Sequence, residues 1–127
     1  MKTSELTGAQ LDAWVARALG KERVIVSDGR ACQVAEIAYL PPGFVMHGAL
    51  PEYSKDWAAT GPIIEREKID TSAPDEFSDD DRWFAGMWQG KSLQYMSMRH
   101  EARGDTPLIA AMRCFVSSKF GGTVPDE

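Results

Sequence analysis

The spacing of apolar and polar positions predicts a helix at the start of the chain. Apolar side chains in residues 8–19 recur every three or four positions, which is typical of a helix with one buried face. Thr7 and Gln10 form the pattern of a capping box at its start, and Gly20 is suited to its end. The apolar positions are Leu11, Trp14, Val15 and Ala18.

The same spacing predicts a second long helix over residues 107–120. Thr106 is the expected N-cap, Pro107 suits the first helical position, and Gly121 favours an end after residue 120. The tail after this helix, residues 123–127, is expected to fray. The apolar face is formed by Leu108, Ile109, Met112, Val116 and Phe120, and Phe115 widens it.

Shorter apolar runs between these helices predict β-strands. Residues 23–27 are rich in β-branched side chains, and the following Asp28-Gly29 is a hairpin signal. Residues 82–88 and 93–101 are expected to pair, and the second of these runs has apolar side chains on both faces. We therefore predict a single domain of the α/β (α+β) class over residues 1–127. Its architecture is an α/β/α sandwich with a central, mainly antiparallel sheet and about three helices.

Two segments lack regular apolar spacing and are expected to be loops. Residues 40–51 contain three prolines and two glycines, which interrupt helices and strands. Residues 70–81 contain six acidic side chains in twelve positions. Concentrated like charge with little apolar content predicts an exposed, mobile acidic loop.

The stretch "YSKDWAATGPIIEREKID", residues 53–70, predicts one more helix. Ser54 is the expected N-cap, which places Asp56 in the first turn and Trp57 among the core contacts. Pro62 leaves two alternatives, because proline inside a helix removes a hydrogen bond and clashes with the preceding turn. Either the helix kinks near this proline, or a short turn precedes a helix that begins there.

Composition narrows the classes of function. The chain is 43% hydrophobic and carries a net charge of −5 without a basic run, which argues against nucleic-acid binding. It has no apolar run of membrane-spanning length and no recognisable signal peptide, so we expect a cytoplasmic protein without membrane contact. Cys32 and Cys114 are expected to be reduced, buried thiols. The histidines and cysteines lack zinc-site spacing, so neither a metal nor another cofactor is expected.

Three blocks of the sequence resemble the NinX-like family of phage and prophage proteins. They are "MKTSELTGAQLDAWVARALG", "YSKDWAATGPIIERE" and "DTPLIAAMRCFVSSKFG", which occur in the family's order and cover 52 of 127 residues. The two later blocks also resemble a wider phage domain described as an α/β/α sandwich. The chain departs from that domain at Lys55, where the domain has threonine, and at Gly61-Pro62. The resemblance implies a phage or prophage origin and a family without a known biochemical function.

The helix start at residue 53 is a candidate ligand site. The free N–H groups of a helix start attract anions, Tyr53 and Ser54 add hydroxyls, and Trp57 offers a stacking face. The alternative is a capped helix start, with Ser54 and Asp56 at the cap and Trp57 in the core.

Arg113, in the middle of the last helix, is the other candidate ligand residue. Its planar guanidinium suits a carboxylate or a phosphate. The alternative is a structural ion pair with Asp56 or Glu65, because a buried arginine is rarely unpaired. If there is a ligand site, Asp56 and Arg113 should face one cleft. No catalytic motif is present, and Cys114 is expected to be an inert core thiol.

These observations leave three classes of function. The first is a non-catalytic phage accessory protein that binds a host or phage protein through an exposed apolar patch including Trp83, Trp88 or Phe44. The second is a small-molecule or nucleotide binder with a pocket at Tyr53–Trp57. The third is a small hydrolase or transferase, and no motif supports it. Self-association into a homo-oligomer is compatible with each class.

Overall fold

The computed structural model describes residues 1–77, 79–89 and 97–126. A short 3₁₀ turn at Thr3–Glu5 precedes the first helix. In chain order, the elements are α1 (Gly8–Ala18), β1 (Val24–Ser27), β2 (Arg30–Glu36), β3 (Val45–Ala49), α2 (Trp57–Glu67), β4 (Ile69–Ser72), β5 (Trp83–Gln89), β6 (Ser97–Gly104) and α3 (Pro107–Phe120).

The six strands form two antiparallel sheets, ordered β1-β2-β3 and β4-β5-β6. The predicted class is therefore confirmed: an α+β fold with antiparallel strands and three helices in the described part of the chain. The arrangement differs from the expected single central sheet. Helix α1 packs against the first sheet and α3 against the second, and the two helices pack against each other. Helices α1 and α3 thus lie between the two sheets.

Helix α3 is the centre of the core. It packs against the second sheet, against α1 and α2, and against the 3₁₀ turn, so nearly all of its sides are covered. Phe115, Met112 and Val116 are completely buried. Phe120 was expected in the core but is partly exposed, and its ring meets the edge of Trp14 at a centroid distance of 5.3 Å. The sequence pattern predicted one buried face, but the buried surface of α3 is wider, because small and sulfur-containing residues outside that face also pack against neighbouring elements.

The first hairpin forms as the sequence predicts. Ser27 and Arg30 pair across a two-residue turn. Asp28 and Gly29 have φ angles of 52° and 74°, which is the left-handed backbone that a two-residue hairpin turn requires.

The segment predicted as a loop over residues 40–51 contains strand β3, so that prediction is wrong for Val45–Ala49. All five of these residues are exposed, so no alternation between a buried and an exposed face marks the strand in the sequence. The prolines flank the strand instead of interrupting it. Gly48 pairs with Gln33 inside the ladder, where the lack of a side chain does not prevent pairing.

The acidic segment also differs in part from its prediction. Residues 70–72 belong to β4, and residues 73–77 form an exposed loop. Near the end of the segment, Asp80 forms ion pairs with Arg82 and Arg103, at 2.9 and 3.4 Å. Mobility of the intervening loop stays a prediction.

The tail is ordered where fraying was expected. Thr123 forms an isolated β-bridge with Lys2, and Val124 is buried in the core. The prediction of a frayed tail is therefore wrong for residues 123–124.

Part of the predicted strand pair lies outside the described residues. Strand β6 is described from Ser97 onward, whereas residues 93–96 and the turn before them are not part of the description. A single central sheet would bring the first helix onto this sheet as well, but α1 packs mainly on β1 and β2.

Candidate functional site

The start of α2 is capped by Asp56 and not by Ser54, which corrects the predicted N-cap. The Asp56 carboxylate accepts a hydrogen bond from the Ala58 backbone N–H at 2.9 Å. The helix runs from Trp57 to Glu67 with Pro62 inside it, so the alternative in which it begins at the proline is wrong.

Tyr53 and Ser54, just before this helix, are buried. The backbone N–H of Ser54 donates to the carboxylate of Asp12 at 2.7 Å. Burial raises the pKa of Asp12, and the hydrogen bond from the Ser54 backbone N–H opposes that effect. The pKa of Tyr53 is raised by burial and by the neighbouring Asp12 charge. Sequence reasoning missed Asp12, because nothing in the pattern of α1 separates a buried aspartate from one facing solvent.

The residues of the candidate ligand site at the start of α2 do not form one surface. Tyr53 and Ser54 face the interior, whereas Trp57 is 55% exposed and is not a core contact. A cavity of about 230 Å³ lies beside the buried pair, between α1 and the first hairpin. Neither Asp56 nor Trp57 lines it. Its charged residues are Asp12, Asp28, Arg30, Glu52 and Lys55, of mixed sign.

Arg113 is buried, with 7% of its surface exposed. Its Nε donates to the Leu6 carbonyl at 2.9 Å, and its Nη1 donates to the Arg103 carbonyl at 2.8 Å. Neither bond is to an acid, so the expected ion pair with Asp56 or Glu65 is wrong. Burial lowers the pKa of Arg113, and the nearby charge of Asp105 opposes this effect. No described cavity brings Arg113 and Asp56 together.

Arg113 lines a different cavity, of about 210 Å³, together with Thr3, Ser4, Glu101 and Ser117. We call this cavity the arginine cleft. A cavity of about 360 Å³ adjoins it, because Ser4 and Glu101 line both.

The adjoining cavity carries Arg82, Arg103 and Asp80. Hydrogen bonds from Arg82 are the main reason that the pKa of Asp80 is lowered to about 2, so this carboxylate is ionised and engaged by arginines at neutral pH.

A second surface stands out by its apolar character. Five large apolar side chains at the end of the β2–β3 hairpin are exposed, and we call them the hairpin surface. Phe44, one of the three residues expected in an exposed apolar patch, belongs to it. Trp88, on β5, is also exposed, whereas Trp83 is partly buried against the core. The five side chains are Tyr39, Leu40, Phe44, Val45 and Met46.

The thiols have a structural environment. Cys32 and Cys114 are both free and buried. Burial raises the pKa of Cys114 to about 12, so its thiol is neutral at physiological pH. Its Sγ contacts the carbonyl of His100 at 3.6 Å.

Across residues 1–77, 79–89 and 97–126, no group of three or more His, Cys, Asp or Glu side chains is arranged to hold a metal ion. Within the same ranges, no helix has both the length and the apolar character required to cross a membrane.

Comparison with known proteins gives one family match. Residues 2–119 match the family described as "Bacteriophage P22, NinX". No curated protein matches the chain. The family match covers nearly the whole chain, including α1, α2, α3 and both sheets.

Proposed function

The chain belongs to the bacteriophage NinX family, and we propose that this phage accessory protein binds a host or phage protein without catalysing a reaction. We place this binding in the cytoplasm of the bacterial host. The observation that carries the proposal is the hairpin surface.

Five large exposed apolar side chains lie close together in sequence at one hairpin, with Val45 and Met46 on opposite faces of β3, which differs from the singly scattered apolar residues of an ordinary surface. Tyr39 is 88% exposed, and Phe44 and Met46 are each more than half exposed. Covering these groups with a partner would remove apolar area from water, which favours association. Tyr39 and Phe44 are also of the aromatic type that is enriched at the centre of protein interfaces.

The backbone of β3 supports the same proposal. Ile37 N–H donates to the Phe44 carbonyl, and Leu50 N–H donates to the Ala31 carbonyl. Since bonding directions alternate along an antiparallel strand, the N–H and C=O groups of Val45, His47 and Ala49 face away from β2. These five strand residues include neither proline nor lysine, the residues that commonly protect a sheet edge. A partner can therefore add an extended segment along β3.

The small-molecule alternative has weaker support. The cavity near Tyr53 and Ser54 is lined by charges of both signs, and these two buried residues offer no exposed surface to a ligand. Capping accounts for Asp56 without a ligand. For the enzyme alternative, Cys114 is not a candidate nucleophile, since burial raises its pKa to about 12.

The proposal is tested by capture of partners from phage-infected cells with immobilised protein. Tyr39→Ala and Phe44→Ala should each reduce the captured partner, because each removes an exposed aromatic from the hairpin surface. Phe77→Ala is the matched control, since Phe77 is 88% exposed in the acidic segment. Equal capture by all three variants would contradict the proposal. Recovery of the chain itself as the sole partner would redirect it to self-association.

Strand addition has its own variant. His47→Pro removes an outward N–H and blocks the edge while preserving the bonds to β2, as proline at an edge position permits. Loss of the partner with an unchanged melting temperature would support pairing along β3. Retained binding would leave the side chains of the hairpin surface as the whole interface.

A further inference from the structure

We propose that the arginine cleft binds a small oxyanion, a phosphate or a carboxylate group, through the guanidinium of Arg113. The observation that carries this proposal is a charged side chain more than nine-tenths buried, without an acidic partner, at the wall of a cavity. The hairpin surface contributes no residue to this cleft, so the inference is independent of the proposed function.

The donors of Arg113 are only partly used. A guanidinium carries five N–H donors. Nε and Nη1 donate to the carbonyls of Leu6 and Arg103, which fix the plane of the group between the 3₁₀ turn and the end of β6. No residue in the described ranges accepts a hydrogen bond from Nη2. A fixed plane with unused donors is preorganised for an oxyanion, which accepts two parallel bonds from such a fork.

The charge of Arg113 is not neutralised by a contact acid. Burying a cation is costly unless it is paired, and the two carbonyls supply only partial charge. Among the described residues, no acidic oxygen lies within 4.0 Å of a guanidinium nitrogen of Arg113, whereas Asp80 does form such pairs with Arg82 and Arg103. Asp80 in the adjoining cavity is held by Arg82 and Arg103, so its charge is engaged elsewhere. The charge of Asp105 acts on Arg113 from nearby without contacting it, so an incoming anion would supply the direct countercharge.

The size and lining of the cleft suit a small oxyanionic group. A volume of about 210 Å³ holds several non-hydrogen atoms, and the adjoining cavity of about 360 Å³ has room for the rest of a larger ligand that carries such a group. Ser4 and Ser117 line the wall and can donate from their hydroxyls. The Thr3 hydroxyl already donates to the Gly121 carbonyl at 2.8 Å.

Among the described residues of the wall, Glu101 is the one acid, and it opposes an anion. It is exposed on β6, so its replacement should not disturb the fold. This makes Glu101→Gln more informative than a change of Arg113, whose loss would also remove the bonds to Leu6 and Arg103. Glu65→Gln is the matched control, because it changes net charge equally at an exposed position on α2.

The test is titration of the intact chain with inorganic phosphate, acetate or chloride at constant ionic strength, followed by nuclear magnetic resonance. We expect phosphate or acetate to shift the Arg113 Nε–H and the Ser4 and Ser117 amide signals saturably. A response to phosphate identifies a phosphate site, and a response to acetate alone identifies a carboxylate site. Chloride at the same concentration should shift none of them.

Glu101→Gln should tighten the apparent Kd about three- to tenfold, the order expected from removing one nearby like charge. Glu65→Gln should leave it within about twofold, since screening weakens distant surface charges. Absence of saturable shifts at Arg113 would overturn the proposal. Equal effects of the two variants, or shifts centred on Arg30 and Lys55, would overturn it as well.

Discussion

The three α-helices begin at exposed N-cap residues that differ in their side-chain hydrogen bonds. Asp56 accepts from Ala58 N–H at 2.9 Å, and Thr106 accepts from Ile109 N–H at 3.2 Å. Thr7 occupies the N-cap of α1 without a side-chain cap bond, so the predicted capping box is not formed. Replacing each residue with alanine therefore separates the value of the bond from the value of the position.

The expected losses follow from these bonds. Removing a capping side chain costs about 1 kcal/mol of folding free energy, within a range of roughly 0.5–2 kcal/mol. Asp56→Ala also removes an anion from a helix start, which adds about 0.3–1 kcal/mol. We expect Asp56→Ala to cost most and Thr106→Ala to cost about 1 kcal/mol. Thr7→Ala should cost less than about 0.5 kcal/mol, the usual range for a surface substitution.

Urea unfolding followed by circular dichroism measures these differences. With a typical slope of about 2 kcal/mol/M, a loss of about 1 kcal/mol lowers the midpoint by about 0.5 M. Asp56→Asn is the matched control, because asparagine caps nearly as well as aspartate. If Thr7→Ala lowered the midpoint as much as Thr106→Ala, the cap bonds would not explain the losses. A large loss in Asp56→Asn would show that the carboxylate charge has a role beyond capping.

Two further substitutions and one measurement on Cys114 test the packing and the titrating groups. Gly104→Ala should lower the free energy of unfolding in urea by about 1–3 kcal/mol, because the new Cβ would lie 2.7 Å from the backbone N of Ala110. Gly122→Ala is the control and should change this free energy by less than about 0.5 kcal/mol, because open space surrounds that position. Cys114 should react with a thiol reagent at pH 8 only through unfolding, because its thiol is buried. The free energy of unfolding should fall as pH rises from 9 towards 12, because the folded pKa of Cys114, about 12, exceeds the reference value of 9.0. Asp12→Asn should match or exceed the wild type in stability at pH 7, since a raised pKa means that the folded state disfavours the charged carboxylate. The advantage should shrink as the pH falls towards 3.8, and a large loss of stability at pH 7 would contradict this.

The elements with strong local signals could be predicted from the sequence. The last helix carries Thr106 and Pro107 at its start and forms there. The Asp28-Gly29 turn forms because few other dipeptides adopt two consecutive left-handed residues at low cost. These features depend on interactions between residues close in the chain, which a local pattern records.

The predictions that were wrong concern features that depend on contacts between residues far apart in the chain. Strand β3 is exposed along its length, so it carries no buried face to detect. The role of Arg113 depends on the carbonyls of Leu6 and Arg103, whose positions follow from the assembled fold. Backbone carbonyls carry no side-chain signature, so sequence reasoning assigned Arg113 an acid. The burial of Asp12 is likewise decided by the backbone N–H of Ser54, 42 positions later.

The central position of α3 has a consequence for synthesis on the ribosome. This helix supplies Phe115, Met112 and Val116 to the core, yet it follows both sheets in the chain. At a translation rate of about 5–20 residues per second, roughly 5–20 s separate the emergence of α1 from that of α3. During that interval the apolar side chains of α1 and the sheets lack their main packing partner. The nascent chain therefore cannot complete this core until α3 has been synthesised, and until then its apolar side chains are accessible to chaperones.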